Sequence, residues 1–161
     1  MPIFNQRFIC MKKLSFFLAL SVLFFLSACS TPSIPFVGKK VKKEYFTGGK
    51  LRSEFIMSDN SGQNGLLKKY GYNGKLNSTV PIEHGVKNGN EILYDSKGRI
   101  LKKTPFVNGR KQGVLEAYYP NGDVMAQITY VNNIKHGRAA KYNKDGSINQ
   151  EVIFQNGRIS N

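Results

Sequence analysis

The sequence predicts an all-β domain, an elongated and twisted antiparallel meander of about five β-hairpins with about 24 residues each. Three observations lead to this fold class. Glycine and aromatic residues recur along the chain with one fixed period. Turn-forming residues interrupt the sequence every 8 to 12 residues or so, which disfavours helices. The stretches between the turns alternate apolar and polar side chains, as strands with one buried face do.

Four positions of the repeat carry the 24-residue period. Two are glycine positions, one is aromatic, and one is aromatic or aliphatic. Their members are Gly74, Gly98, Gly122 and Gly146; Gly65, Gly89, Gly113 and Gly137; Phe46, Tyr70, Tyr94, Tyr118 and Tyr142; and Ile82, Phe106, Tyr130 and Phe154. The first unit fits least well because Gly49 lies one residue early, so we expect a one-residue slip between Ser58 and Gly62.

Each unit is predicted to be one hairpin closed by a glycine turn, such as Pro120-Asn121-Gly122. We interpret both glycine series as turn glycines because glycine accepts positive φ. A second turn over residues 108–113 passes the chain to the next hairpin. Ten short strands in chain order would give a sheet about 45 Å long. The predicted buried face of the strands carries Leu76, Val80 and Ile82; Val124, Ala126, Ile128 and Tyr130; and Ile148, Val152 and Phe154.

The stretch from Phe106 to Gly122 reads Phe-x-Asn-Gly-x-x-x-Gly-x-x-x-x-Tyr-x-x-x-Gly. This phrase resembles the MORN-repeat variant of many bacterial proteins. Residues 82–98 and 130–146 carry it too, with Asn133 in place of one glycine. The similarity covers about residues 45–161. The resemblance implies an array of β-hairpins used for protein or lipid contact, some of whose bacterial members are labelled antitoxin components, and it brings no catalytic residue with it.

The N-terminal segment has the features of an export signal. Lys12 and Lys13 precede thirteen uncharged residues, a run too short to span a bilayer but typical of a signal peptide. The following Leu-Ser-Ala-Cys sequence resembles the bacterial lipobox, in which the thiol of the cysteine, here Cys29, receives diacylglycerol. We therefore predict a signal peptide over residues 1–28, with Met11 as an alternative start, a lipidated tether over 29–43 and the repeat domain over 44–161.

The predicted location is the cell envelope, where the chain is held by its lipid anchor. Ser30 follows the anchor, as in outer-membrane lipoproteins of Gram-negative bacteria, so the outer membrane is expected if the host is Gram-negative. Removing the leader, which holds three basic and no acidic residues, lowers the formal net charge from +14 to +11. Basic exported proteins meet anionic lipids or acidic polymers, so we expect no nucleic-acid partner.

Two groups of lysines are candidate contacts for an anionic surface. Lys39, Lys40, Lys42 and Lys43 lie in the predicted tether, close to the anchor. Lys87, Lys111 and Lys135 occupy one position in three successive inter-hairpin turns, where we expect an exposed row along one side of the sheet. Alternatively, lysine simply suits exposed turns and discourages association of sheets, and we favour this second interpretation.

Enzyme chemistry is not expected. Cys10 lies before the predicted cleavage site and Cys29 carries lipid, so the mature chain has no thiol for a disulfide, a metal site or a nucleophile. His84 and His136 are 52 residues apart, which is no multiple of the repeat, and we interpret them as surface turn residues. No acidic pair recurs with the repeat. We expect no metal and no cofactor other than the acyl lipid.

The sequence therefore predicts a non-enzymatic, lipid-anchored envelope protein whose repeat array mediates protein or membrane-surface interactions. Two alternatives stay open. The chain could be an antitoxin-like or immunity-like protein that neutralises a cognate toxin. It could also be an accessory factor that binds peptidoglycan or another anionic envelope polymer.

Overall fold

A computed structural model of the chain describes residues 38–160, which form thirteen strands of a single sheet. The predicted signal peptide, Cys29 and most of the tether lie outside the described residues. The strands are β1 Val41–Tyr45, β2 Leu51–Met57, β3 Gly65–Tyr70, β4 Leu76–Glu83, β5 Val86–Lys87, β6 Gly89–Tyr94, β7 Ile100–Val107, β8 Arg110–Lys111, β9 Gly113–Tyr118, β10 Val124–Val131, β11 Ile134–Tyr142, β12 Ile148–Gln155 and β13 Arg158–Ser160.

The strands pair in chain order, and every pairing is antiparallel. Two-residue strands β5 and β8 extend the hairpins and pair with β4 and β7. The predicted all-β meander is confirmed, and ten of the strands are the ten expected. The sequence did not predict the three short strands β5, β8 and β13. Strands β1 and β13 lie at the two ends of the order, so the sheet is open.

The turns of the first glycine series have one shared geometry. In the turn that contains Gly122, the N–H of Gly122 donates to the C=O of Tyr119 at 2.9 Å, and the N–H of Tyr119 donates to the C=O of Asp123 at 2.8 Å. The φ angle of Gly122 is +98°, a left-handed conformation that favours glycine. This is the three-residue hairpin loop with a left-handed last residue. Gly74, Gly98 and Gly146 occupy the same place, so this series is confirmed as turn glycines.

The second glycine series has the positive φ that was expected, but its members lie in strands rather than in the turns. Gly65, Gly89 and Gly113 begin strands, and Gly137 lies within β11. From β4 onward, the turns between hairpins are two-residue turns a few residues earlier, such as Asn108-Gly109, with φ of +48° and +79° and Val107 paired with Arg110. Positive φ at both residues is the type I′ turn that suits the twist of a hairpin. The equivalent turns are His84-Gly85, Asn132-Asn133 and Asn156-Gly157. A longer loop over 58–64 joins β2 to β3.

A β-bulge follows each glycine turn and changes the face of one predicted core residue. Lys69 pairs with Ser78, but Tyr70 pairs with Leu76, so Asn77 is the extra residue. Leu76 therefore lies on the same face as Tyr70 and opposite to Val80, which corrects the predicted alternation. The same shift places Val124 beside Tyr118 and Ile148 beside Tyr142.

The sheet consequently has two different faces. We call the face that carries Val80, Leu115 and Ala139 the cationic face, since the lysines described below share it. We call the face that carries Tyr70, Tyr94, Tyr118 and Tyr142 the tyrosine face. Most of the core lies along the middle of the cationic face, where Val80 is fully buried and Thr104, Phe106, Leu115 and Ala139 are nearly so, while buried Ala140 lies on the tyrosine face.

Three smaller expectations are corrected. Strand β1 begins at Val41, and the N–H of Met57 donates to the C=O of Lys40. The last residues of the predicted flexible tether, which was expected to end at Lys43, therefore belong to the sheet. Tyr45, rather than Phe46, pairs with the first residue of the next strand and is the first member of the tyrosine series. The loop over 58–64 is long enough to hold the predicted slip. His84 lies in a turn as expected, but His136 lies in β11.

Candidate interaction surface

The predicted row of Lys87, Lys111 and Lys135 exists, and the main chain holds it in place. Each lysine pairs across a hairpin with an aromatic or aliphatic residue of the fourth repeat position, Lys111 with Phe106 for example. The C=O of Lys87, Lys111 and Lys135 accepts a hydrogen bond from the next inter-hairpin turn at 2.8 Å, 3.0 Å and 2.9 Å. These bonds tie each hairpin to the next, and the lysines therefore recur at two strand spacings, about 10 Å.

The lysine side chains are not free in solvent, which corrects the expectation of an exposed turn row. Each is half-buried, because its ammonium group lies over the aromatic ring 19 residues further along the chain. The Nζ atoms lie 4.7 Å from the ring centre of Phe106 for Lys87, 5.2 Å from that of Tyr130 for Lys111 and 4.9 Å from that of Phe154 for Lys135. This stacking is a cation–π contact that orients the ammonium groups along one edge of the cationic face.

Most of the positive charge of the row is not neutralised by nearby carboxylates. Lys87 forms an ion pair with Glu91 at 2.7 Å. Within residues 38–160, Lys111 and Lys135 have no carboxylate oxygen within 4.0 Å of their ammonium groups. By the strand register, Lys69, Lys102 and Lys141 lie on the same face. The cationic face therefore combines positive charge with only a few carboxylates, and it can attract an anionic partner.

The tyrosine face has a different character, because several of its charged side chains are paired within the sheet. The Tyr70 hydroxyl donates to Glu54, which also pairs with Lys68 at 3.4 Å. Tyr118 donates to Glu116 at 2.6 Å. Further along, Tyr142 donates to Gln127 at 2.9 Å, and Arg138 pairs with Glu151 at 2.8 Å. This network was not predicted, because the bulges that set the pairing of the strands beside the tyrosines are not visible in the repeat spacing.

The tyrosine network shifts the acidity of its members. Burial, together with the hydrogen bond to Glu54, raises the pKa of Tyr70 to about 12. The pKa of Tyr118 is likewise raised to about 12 by burial and its bond to Glu116. The same bonds hold the pKa of Glu54 and Glu116 below the ordinary value for glutamate. These groups therefore stay as neutral phenol and charged carboxylate over a wide pH range.

The remaining predicted site residues lie at the N-terminal edge or outside the described part. Lys39 and Lys40 precede β1, and Lys42 and Lys43 lie in β1; all four are exposed. Residues 38–160 contain no group of three or more His, Cys, Asp or Glu side chains that could hold a metal ion. The same residues include no helix long and apolar enough to cross a bilayer.

Comparison with known proteins identifies the repeat. A family model described as the MORN repeat variant matches residues 111–132. This stretch runs from Lys111 of the row through β9, its glycine turn and β10 to the first residue of the next type I′ turn. The chain carries a MORN-type repeat. The glycine turn recurs in the other hairpins, and the type I′ turn recurs in all but the first, where the loop over 58–64 replaces it.

Comparisons of the whole chain add less. No curated protein matches it. One similar solved structure is the crystal structure of a protein with unknown function from Bacteroides fragilis, with 15% sequence identity. The match covers 74% of this chain and 96% of that chain, with a TM-score of 0.20.

Proposed function

We propose that the protein is a non-enzymatic, lipid-anchored component of the bacterial cell envelope, and that its MORN-type repeats mediate contact with a protein or a membrane surface. One observation carries the proposal. The cationic face presents a row of ammonium groups, oriented by aromatic rings, of which Lys111 and Lys135 have no acidic partner among the described residues. Repeated, oriented and largely uncompensated charge on an open sheet suits recognition better than catalysis.

The anchor is proposed from the sequence. The leader, the small residues and Cys29 occur in the order that lipoprotein processing needs. The covalent acyl lipid would be the only cofactor. The lysines around β1 would then lie near the membrane, where each adds about 1 kcal/mol of attraction to anionic lipids.

A second candidate partner is an anionic envelope polymer such as peptidoglycan. The regular step of about 10 Å between the row lysines favours a linear partner with evenly repeated charge. At about 0.1 M salt this step is close to the screening length, so the lysines attract such a polymer nearly independently.

Two variants test the contributions of the anchor and of the lysine row separately. We expect Cys29→Ser to move the full chain from the membrane pellet to the supernatant at high salt, because the thiol is the proposed acceptor. In that soluble background, Lys87, Lys111 and Lys135 changed together to Gln should reduce flotation with vesicles that contain phosphatidylglycerol. The same three changed to Arg should float like the parent, since arginine keeps both the charge and the ring contact.

Matched controls decide the outcome. Changing Lys39, Lys40, Lys42 and Lys43 to Gln removes more charge than the row variant but leaves the row intact. The contribution of the row to binding is supported if its Gln variant loses more binding at low salt than this control, with unchanged circular dichroism. A Cys29→Ser protein that still pellets contradicts the anchor, and a row variant that floats like the parent contradicts the role of the row.

A further inference from the structure

A stripe of exposed branched side chains runs along the tyrosine face beside the inter-hairpin turns. Its six members are 38% to 49% exposed, which is high for valine and isoleucine on consecutive strands. They are Val86, Val107, Val114, Val131, Ile134 and Ile153. The network of the tyrosine face does not include them, and the lysine row lies on the opposite face.

The strand register joins these side chains into one surface. Val131 pairs directly with Ile134 across β10 and β11. Val114 and Val107 each neighbour a buried residue, Leu115 and Phe106, and so point to the opposite side of the sheet. Val86 also lies close to the next inter-hairpin turn, since a Cβ atom built on Gly109 would be only 3.6 Å from it. The absence of a side chain at Gly109 therefore lets the stripe continue past this turn.

We propose that this stripe binds a second copy of the same chain, in an antiparallel dimer with its two-fold axis between β9 and β10. The proposal goes beyond the proposed function, because it uses the other face and leaves the lysine row free in both copies. Under this symmetry Val107 lies against Ile134 of the second copy, and Val114 against Thr129. Isologous interfaces need this kind of self-complementary patch.

Charge at the ends of the stripe favours the antiparallel arrangement. By the register, exposed Glu83 lies at the N-terminal end of the stripe and exposed Arg158 at its C-terminal end, both on the tyrosine face. The two-fold axis brings each Glu83 to the Arg158 of the other copy. A parallel arrangement would instead place like charges together, which is unfavourable.

The size of the stripe suits a weak, reversible dimer. The six residues occupy six neighbouring strand positions, and Glu83 and Arg158 extend the surface to eight strands. Eight strands make seven spacings, or about 34 Å, and two residues along each strand make about 13 Å. These lengths give about 450 Å² on each copy and about 900 Å² in total, slightly below the roughly 1,000 Å² of a stable specific interface. A small interface of branched apolar residues predicts a reversible dimer rather than an obligate one.

The first test measures the mass of the full chain in a non-ionic detergent by light scattering during size-exclusion chromatography. We expect a dimer at micromolar concentration, and a monomer for Val107→Asp, which places a charge inside the interface. Met125→Asp is the matched control, because Met125 is 39% exposed but is the extra residue of a bulge at the opposite turn edge. A monomeric wild type, or equal effects of the two substitutions, would overturn the proposal.

The second test uses the ends of the stripe and avoids its apolar residues. Glu83→Arg and Arg158→Glu should each weaken the dimer about tenfold, because the symmetry makes each contact twice. The double variant should restore dimerisation, since it exchanges the two charges across the interface. A double variant no better than the single ones overturns the antiparallel arrangement. A monomer that floats with zwitterionic vesicles through Val107 would make the stripe a membrane contact and reject the dimer.

Discussion

At the scale of residues, a lysine of the row both stabilises the sheet and gives its surface a positive charge. Lys111 lies over Tyr130, and its main chain accepts a bond from the next turn, so the side chain connects two repeats while its ammonium group stays near solvent. The sequence predicted the alignment of the three lysines, because identical repeat positions must align in a repeated sheet. It could not predict the rings beneath them, since the contact depends on the register between hairpins.

Tyr70 provides a pH-dependent test at this scale. Its pKa is raised from 10.0 to about 12, so its contribution to stability is fully present below about pH 10 and is lost as pH rises through about 12. We expect Tyr70→Phe to lower the free energy of unfolding by about 1–2 kcal/mol near neutral pH. The difference from wild type should shrink above pH 10. Urea unfolding at a series of pH values measures it.

Tyr72 supplies the control for this measurement. It is 60% exposed in a glycine turn, and Tyr72→Phe keeps the ring that contacts Phe46 and Lys50. We expect that variant to unfold like wild type. Equal losses for Tyr70→Phe and Tyr72→Phe, or a loss for Tyr70→Phe that does not change with pH, would show that the bond to Glu54 does not contribute as described.

At the scale of elements, the hairpin is set by two kinds of turn and one bulge. Gly122 and Gly109 show why the sequence predicted the turns: each needs a left-handed backbone, and glycine recurs there. Gly113 shows the limit of that argument, because its φ is also positive, at +105°, and yet it begins a strand beside Pro105, with 3.4 Å between that ring and an added Cβ. Leu76 was assigned to the wrong face because strict alternation cannot reveal an extra residue such as Asn77.

Gly122→Val tests the turn. Its φ is +98°, and an added Cβ atom would meet no atom within 4 Å, so the cost is one of backbone conformation alone. We expect a loss of about 1–3 kcal/mol in the free energy of unfolding. Lys141→Val is the control, because an exposed position in β11 accepts a β-branched residue. Equal melting temperatures for the two variants would contradict the assignment of Gly122 to the left-handed position of the turn.

At the scale of the whole molecule, the described residues form one open sheet whose units stabilise each other. Few side chains are fully buried, so no hairpin has a core of its own, and stability comes from the contacts between neighbours. The repeat period sufficed to predict this architecture. The partner could not be predicted, because the period fixes where charges and branched side chains recur but not what meets them.

The central claim is that the sheet is built from interchangeable 24-residue units, and deleting one unit tests it most directly. Removing residues 98–121 joins Lys97 to Gly122, restores the glycine turn and lets Tyr94 pair with Val124 in place of Ile100. We expect a cooperatively folded β-sheet by circular dichroism and thermal unfolding, less stable by about 1–4 kcal/mol. Removing residues 98–122 instead deletes the turn glycine and shifts the register by one residue, which turns the side chains to the wrong faces, so we expect no cooperative unfolding. Equal stability of the two deletion variants, or an unfolded 24-residue deletion, would contradict the account.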